Sequence, residues 1–189
     1  MRLSQMRIMF FAAILLAGCS GGDGKPLAQM TFAHLQPMPI YVASYDVLSN
    51  ANFDKNNLPE GFVANPEDII MDYLNHRFVP SGTNGKIIAS IEKISVKHNL
   101  IASESKVGEF LGVDKRDEYD IEASVKLRLV GLESASVQEV SMKAQRQLLV
   151  SEHVSIVERE REQMEAIDHL VDDLDEAIQK AMRDHFHVF

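Results

Sequence analysis

The chain contains no tryptophan and a single cysteine, Cys19. With one cysteine no disulfide can form within it, so its core must hold by burial alone, which a chain of this length can supply. Without tryptophan there is no tryptophan-based aromatic platform. No apolar run approaches the roughly 20 residues that cross a bilayer as a helix. Catalytic signatures are missing as well. There is no Gly-x-Ser-x-Gly and no Ser-x-x-Lys in a plausible context. Ser81 to Gly85 is a turn that leads into a strand, without the helix that completes a phosphate loop. Positive charge is in deficit, with 19 Lys and Arg against 28 Asp and Glu, a formal net charge of −9. Such a chain is poorly suited to nucleic acid and is repelled by anionic lipid headgroups. Internal repeats are absent.

What is present is concentrated first at the amino terminus, MRLSQMRIMFFAAILLAGC. Arg2 and Arg7 give a positive start, Ile8 to Ala17 are almost unbroken apolar, and small residues lead into Cys19. A short apolar run so flanked reads as a secretory signal peptide, not a spanning helix. Leu16-Ala17-Gly18-Cys19 resembles the lipobox of bacterial lipoproteins. That resemblance implies cleavage before Cys19 and acylation of its sulfur and its new amino group. Several acyl chains meet the requirement of more than one lipid for stable anchoring. In enterobacterial lipoproteins an aspartate after the cysteine retains the protein in the inner membrane. Ser20 therefore points to the outer membrane, with the folded part facing the periplasm.

The organisation expected is a signal peptide over 1–18, a lipidated cysteine and flexible tether over 19–30, and one domain over 31–189. Met30 to Gln36 reads as a short edge strand, and Ile40 to Leu48 (IYVASYDVL) as the first full strand. Asn65-Pro66-Glu67-Asp68 is a helix start: a capping side chain, proline at the first helical position and two acids near the positive dipole end. Helical spacing continues to Phe78. Lys86 to Val96 is a strand whose apolar phase slips near Glu92-Lys93, as a β-bulge would cause. A loop over 97–117 follows. Tyr119 to Leu129 then alternates without fault, which reads as a half-buried antiparallel strand, and Val137 to Val150 returns with Arg146 as the exception to its apolar phase. Ser155 to Glu158 is a capping box opening a helix to about His185, on the order of 45 Å long. The expected fold is an α+β two-layer sandwich: an antiparallel four-stranded sheet with two helices on one face, in the order β-α-β-β-β-α.

Candidate chemistry is sparse. His169 has Asp172 and Asp173 three and four positions on, and His185 and His187 follow near the end. The spacing suits a metal ligand set, but a solvated acidic face explains it better, since a metal needs three ligands converging in space. No metal, no cofactor and no enzymatic activity are expected. The carboxylate pairs lie on solvent faces, and the Glu158 to Glu162 alternation reads as ion pairing along a helix. In the loop, Phe110, Leu111 and Val113 break periodicity and are either a partner-docking patch or a lid over the sheet end.

The lipobox, tether and strand-helix-strand-strand-strand-helix order together resemble two kinds of small Gram-negative envelope lipoprotein. One is the auxiliary lipoprotein of ABC-type transport systems. The other is the LPS-assembly lipoprotein that plugs an outer-membrane barrel. The resemblance runs from about Ile40 to Phe186. Asn65 to Phe78, Gly85 to Val96 and the helix opened by Ser155-x-x-Glu158 also look like a conserved lipoprotein group of alphaproteobacteria. The function implied is that of a membrane-anchored, non-enzymatic accessory subunit of an envelope transport or assembly complex. The alternative expectation is a binding module for a lipid or other hydrophobic ligand, held between the long helix and the sheet beside Phe110, Leu111, Met164 and Met182.

Overall fold

A computed structural model of the chain describes residues 32, 35–102, 115–131 and 137–189. In order these form β1 (Met38–Ile40), β2 (Ser44–Ser49), α1 (Pro66–Arg77), β3 (Phe78–Pro80), β4 (Lys86–Ala102), β5 (Lys115–Val130), β6 (Gln138–Ser151) and α2 (Ile156–Ala181). The main sheet has the order β2-β4-β5-β6. Helix α1 lies over β2 and β4, and α2 over β5 and β6.

The sheet is mixed, which corrects the expectation of an antiparallel one. β4, β5 and β6 form an antiparallel meander, but β2 pairs parallel to β4 from Ser44↔Lys86 to Ser49↔Ile91. The reason lies in the connection. Strand β2 is followed by a helix that carries the chain back along the sheet, and a strand entered after such a crossover runs parallel to the first. A second, two-stranded parallel sheet joins β1 to β3, and the sequence reading missed it.

The strand expected over Ile40 to Leu48 is broken by bends at Tyr41, Val42 and Ala43. The turn at Ser81 to Gly85 clasps that break: Ser81 N–H donates to the Ile40 carbonyl at 2.8 Å and Gly82 N–H to the Val42 carbonyl at 3.0 Å. A Cβ on Gly82 would stand 2.6 Å from the Tyr41 carbonyl carbon, so only glycine fits so close an approach. Where described, the Met30 to Gln36 segment is not a strand; Leu35 turns back to the Phe32 carbonyl and the Phe32 ring meets Tyr73 edge-on.

The meander follows the sequence closely. Tyr119, Ile121, Ala123, Val125, Leu127 and Leu129 are buried on the face under the helices. On the other face Glu122 bridges Lys93 at 2.8 Å and Lys143 at 3.3 Å. The register shifts between Ile91 and Lys93, and burial resumes at Ile94, as the phase slip predicts. The expected 97–117 loop is shorter: β4 continues to Ala102 and β5 starts at Lys115, so Leu100 and Ile101 are strand residues.

Helix α1 is capped as read, the Asn65 side chain accepting from Glu67 N–H at 3.1 Å. At α2 half of the capping box forms. The Ser155 hydroxyl accepts from Glu158 N–H at 3.2 Å, while the Glu158 carboxylate pairs with Arg161 instead of reaching back. Val157, expected in the core by its spacing, is 68% exposed because it precedes the stretch of helix that lies on the sheet. The chain end is not frayed. After a wider turn over Met182–Phe186, the Val188 carbonyl accepts from Tyr41 N–H at 2.7 Å, and Phe186 and Val188 are buried.

Candidate functional site

Leu16, Ala17, Gly18, Cys19, Phe110, Leu111 and Val113 lie outside the described residues. His169 is exposed, 4.0 Å from Glu165 and 3.8 Å from Asp172, while Asp173 turns to Arg146 at 2.6 Å. The Asp173 carboxylate is thus spent on an ion pair, and among the described residues no group of three ligands could hold a metal. Met182 is fully buried in the core and Met164 is half-buried, packed against it.

Two polar clusters hold the layers together. At the junction of the helices, the Asp175 carboxylate receives Tyr73 Oη at 2.6 Å, Arg77 Nε at 2.8 Å, Arg77 Nη2 at 3.2 Å and Gln179 Nε2 at 2.6 Å. Arg77 Nη1 also donates to the Gln36 carbonyl, tying down the segment before β1. Burial alone would raise the Asp175 pKa, but hydrogen bonds from Arg77 and Tyr73 outweigh it and hold the carboxyl below its usual range. Burial, with the Asp175 charge beside it, pushes the Tyr73 phenol far up, so it stays a donor.

The second cluster closes the far end of the sheet. Asp117 on β5 meets His98 Nε2 at 2.8 Å and Arg159 Nη1 at 2.5 Å. The same guanidinium donates to Tyr119 Oη at 3.2 Å, the His98 ring stacks on that of Tyr119, and Tyr119 Oη donates to the Glu60 carbonyl. Burial works to raise the Asp117 pKa, and the bonds from Arg159 and His98 bring it below normal. Both Asp117 carboxylate oxygens and the Tyr119 hydroxyl are thereby engaged within the cluster. These clusters brace the fold.

A different arrangement lies along β6. That strand pairs with β5 on one side only, among the described residues. Beside its open edge, Arg146, Gln147 and Leu148 line an open groove of about 270 Å³ together with Glu162, Glu165, Ala166 and His169 of α2, the Gln147 side chain itself turning to Glu118 on the other face of the sheet. The four helix residues are spaced three and four apart, so they share one face. Leu148 and Ala166 make an apolar floor between polar walls. Arg146 donates through Nη2 to Asp173, but its Nε, like Glu162 Oε2, is buried without a hydrogen-bond partner among the described residues. Such atoms normally find partners, since leaving one unmade costs about 1–3 kcal/mol.

No protein-family model matches the chain, and no curated protein sequence does. Solved structures similar to it include a neuraminyllactose-binding hemagglutinin homolog from Helicobacter pylori, with 10% identity and a TM-score of 0.43 over 80% of this chain and 89% of that one. Another is the rare lipoprotein B from Shewanella oneidensis, with 12% identity and a TM-score of 0.35 over 75% of this chain and 99% of that one. Both likenesses are loose.

Sequence reasoning missed three features. Buried Asp175 and Arg77 lie on separate helices and read singly as surface charges. Gln163, 0% exposed, donates to the Gly61 carbonyl at 2.7 Å and accepts from Val63 N–H at 3.0 Å, holding the loop before α1. The groove had one sequence signal: Arg146 is the charged residue that interrupts the apolar phase of β6.

Proposed function

We propose that this chain is an envelope lipoprotein, anchored through Cys19, that serves as a non-enzymatic accessory subunit by binding a partner polypeptide. The observation that carries this reading is the open β6 edge with the α2 groove beside it. A strand edge offers backbone donors and acceptors to another chain and has no means of activating a nucleophile or a proton. Acidic character suits a domain held at a membrane by its lipid and standing off from anionic headgroups. The space between α2 and the sheet, where a hydrophobic ligand would lie, is occupied by Ile167, Leu170, Leu174, Tyr119 and Ile121, all fully buried. That favours a polypeptide at the edge over a lipid in the interior.

The test has two parts. Metabolic labelling with an alkynyl fatty acid should mark the wild type and not Cys19→Ser; equal labelling would remove the anchor from the reading. In cells, a photo-crosslinking residue at Gln147 or Phe110 should trap one dominant envelope protein, while one at Lys126 on the open sheet face should not. Equal, diffuse trapping at all three positions would refute the accessory-subunit reading, and trapped lipid without protein would favour a ligand-binding module.

A further inference from the structure

We infer that the β6 edge takes an extended partner segment of alternating basic and apolar residues, added as a fifth strand beside α2. This rests on the accessory-subunit reading and specifies the partner's chemistry. Three features of the edge carry it. First, β6 spans Gln138–Ser151 and every second residue turns its amide and carbonyl away from β5, a ready template for strand addition. Second, the usual protection against such pairing is uneven. Glu139, Lys143 and Arg146 guard the first part of the strand, while Gln147 to Ser151 carry no charge. Third, the two sides of that unguarded stretch differ. On the α2 side are Glu162 and Glu165, with Glu162 Oε2 buried and without a hydrogen-bond partner among the described residues, and Arg146, whose charge is paired with Asp173. On the opposite side Leu149 is 48% exposed.

A strand laid along this edge alternates its side chains between those two environments with a period of two. Residues facing α2 meet carboxylates over the small apolar floor of Leu148 and Ala166, and those facing the other way meet Leu149. Alternating basic and apolar side chains satisfy both. The same charges argue against a second copy of this chain as the occupant. Two molecules joined antiparallel through β6 around a two-fold axis would bring their α2 helices to one side of the joined sheet. The Glu162 and Glu165 faces would then approach each other, and like charges repel.

The experiment uses the full lipidated chain in non-ionic detergent micelles and fluorescent decapeptides as probes. The first alternates Lys and Val, the second alternates Glu and Val, and the third repeats the first with N-methyl groups on alternate amides of one edge. The Lys–Val peptide should bind at least tenfold more tightly than the Glu–Val peptide. N-methylation should cost a further tenfold or more, because it removes the backbone donors that pair with β6. Amide hydrogen exchange should slow within Gln147 to Ser151, and Glu162→Gln/Glu165→Gln should weaken binding about tenfold while leaving the melting temperature unchanged.

Equal binding of the first and third peptides would overturn the inference, since attraction to an acidic protein needs no strand pairing. Protection confined to other residues would overturn it too, as would a concentration-dependent dimer that protects β6 without peptide. The two proposals fail separately. A partner trapped at Gln147 or Phe110 with no preference for the Lys–Val peptide refutes the strand-edge inference alone. Diffuse cross-linking refutes the accessory-subunit reading whatever the peptide does.

Discussion

Arg77→Leu removes the cation from the buried junction of the two helices, together with its bond to the Gln36 carbonyl, and keeps Tyr73 and Gln179 beside Asp175. The Arg77 and Asp175 side chains are 9% and 10% exposed, and their contact is two-pronged, at 2.8 and 3.2 Å. Removing one partner of a buried pair typically costs about 3–5 kcal/mol, because the remaining charge stays buried without compensation. Tyr73 and Gln179 still donate to Asp175 in the variant, which places the expected loss toward the lower end, about 3 kcal/mol. For a domain of this size that corresponds to roughly 6–12 °C in melting temperature. The pH dependence separates this cause from simple loss of packing. In the wild type the Asp175 pKa is depressed by folding. Its contribution is therefore complete above the unfolded carboxyl range and is lost as pH falls through the folded value. In the variant the same carboxyl is buried without its cation, and the burial that works to raise its pKa is opposed only by the hydrogen bonds of Tyr73 and Gln179. The penalty is then full near neutrality and relieved as acid protonates the group. Urea unfolding of both proteins at pH 7 and pH 4.5 should show a gap that narrows in acid. A loss under about 1 kcal/mol, or an equal loss at both pH values, would refute the assignment of Asp175 as an ionised, Arg77-compensated group.

Other expectations follow from single contacts. Gln163→Leu leaves the Val63 amide and the Gly61 carbonyl without their partner. It should cost roughly 2–4 kcal/mol in urea unfolding and speed hydrogen exchange at Val63 in particular. Gly82→Ala puts a methyl 2.6 Å from the Tyr41 backbone. Its melting temperature should fall by an amount equivalent to about 1–3 kcal/mol, as for other overpacked sites, and no loss would mean the 41–43 bend yields freely. Val157→Lys, at a position that helical spacing assigns to the core, should change stability by no more than about 0.5 kcal/mol, as at other exposed sites.

The sequence by itself determined the local elements. Alternation at Tyr119 to Leu129, the phase slip at Glu92, the caps at Asn65 and Ser155 and the spacing of α2 each depend on neighbours a few residues away. Residue identity therefore suffices to read them. The resemblance of Leu16 to Cys19 to a lipobox is likewise a property of the string. Tertiary structure decided what depends on distant partners. The direction of β2 follows from where α1 returns the chain, and nothing in IYVASYDVL distinguishes a parallel strand from an antiparallel one. The break at Tyr41 to Ala43 follows from the approach of Gly82, and the burial of Asp175 from the arrival of Arg77, 98 residues earlier. The groove beside β6 belongs to the same class. Glu162 and Glu165 read as ordinary surface acids along a helix, and only the packing of α2 beside an open strand edge sets them opposite Arg146 and Leu148. Local interactions write themselves into sequence periodicity, whereas a site assembled across two elements leaves at most one residue out of phase, here Arg146.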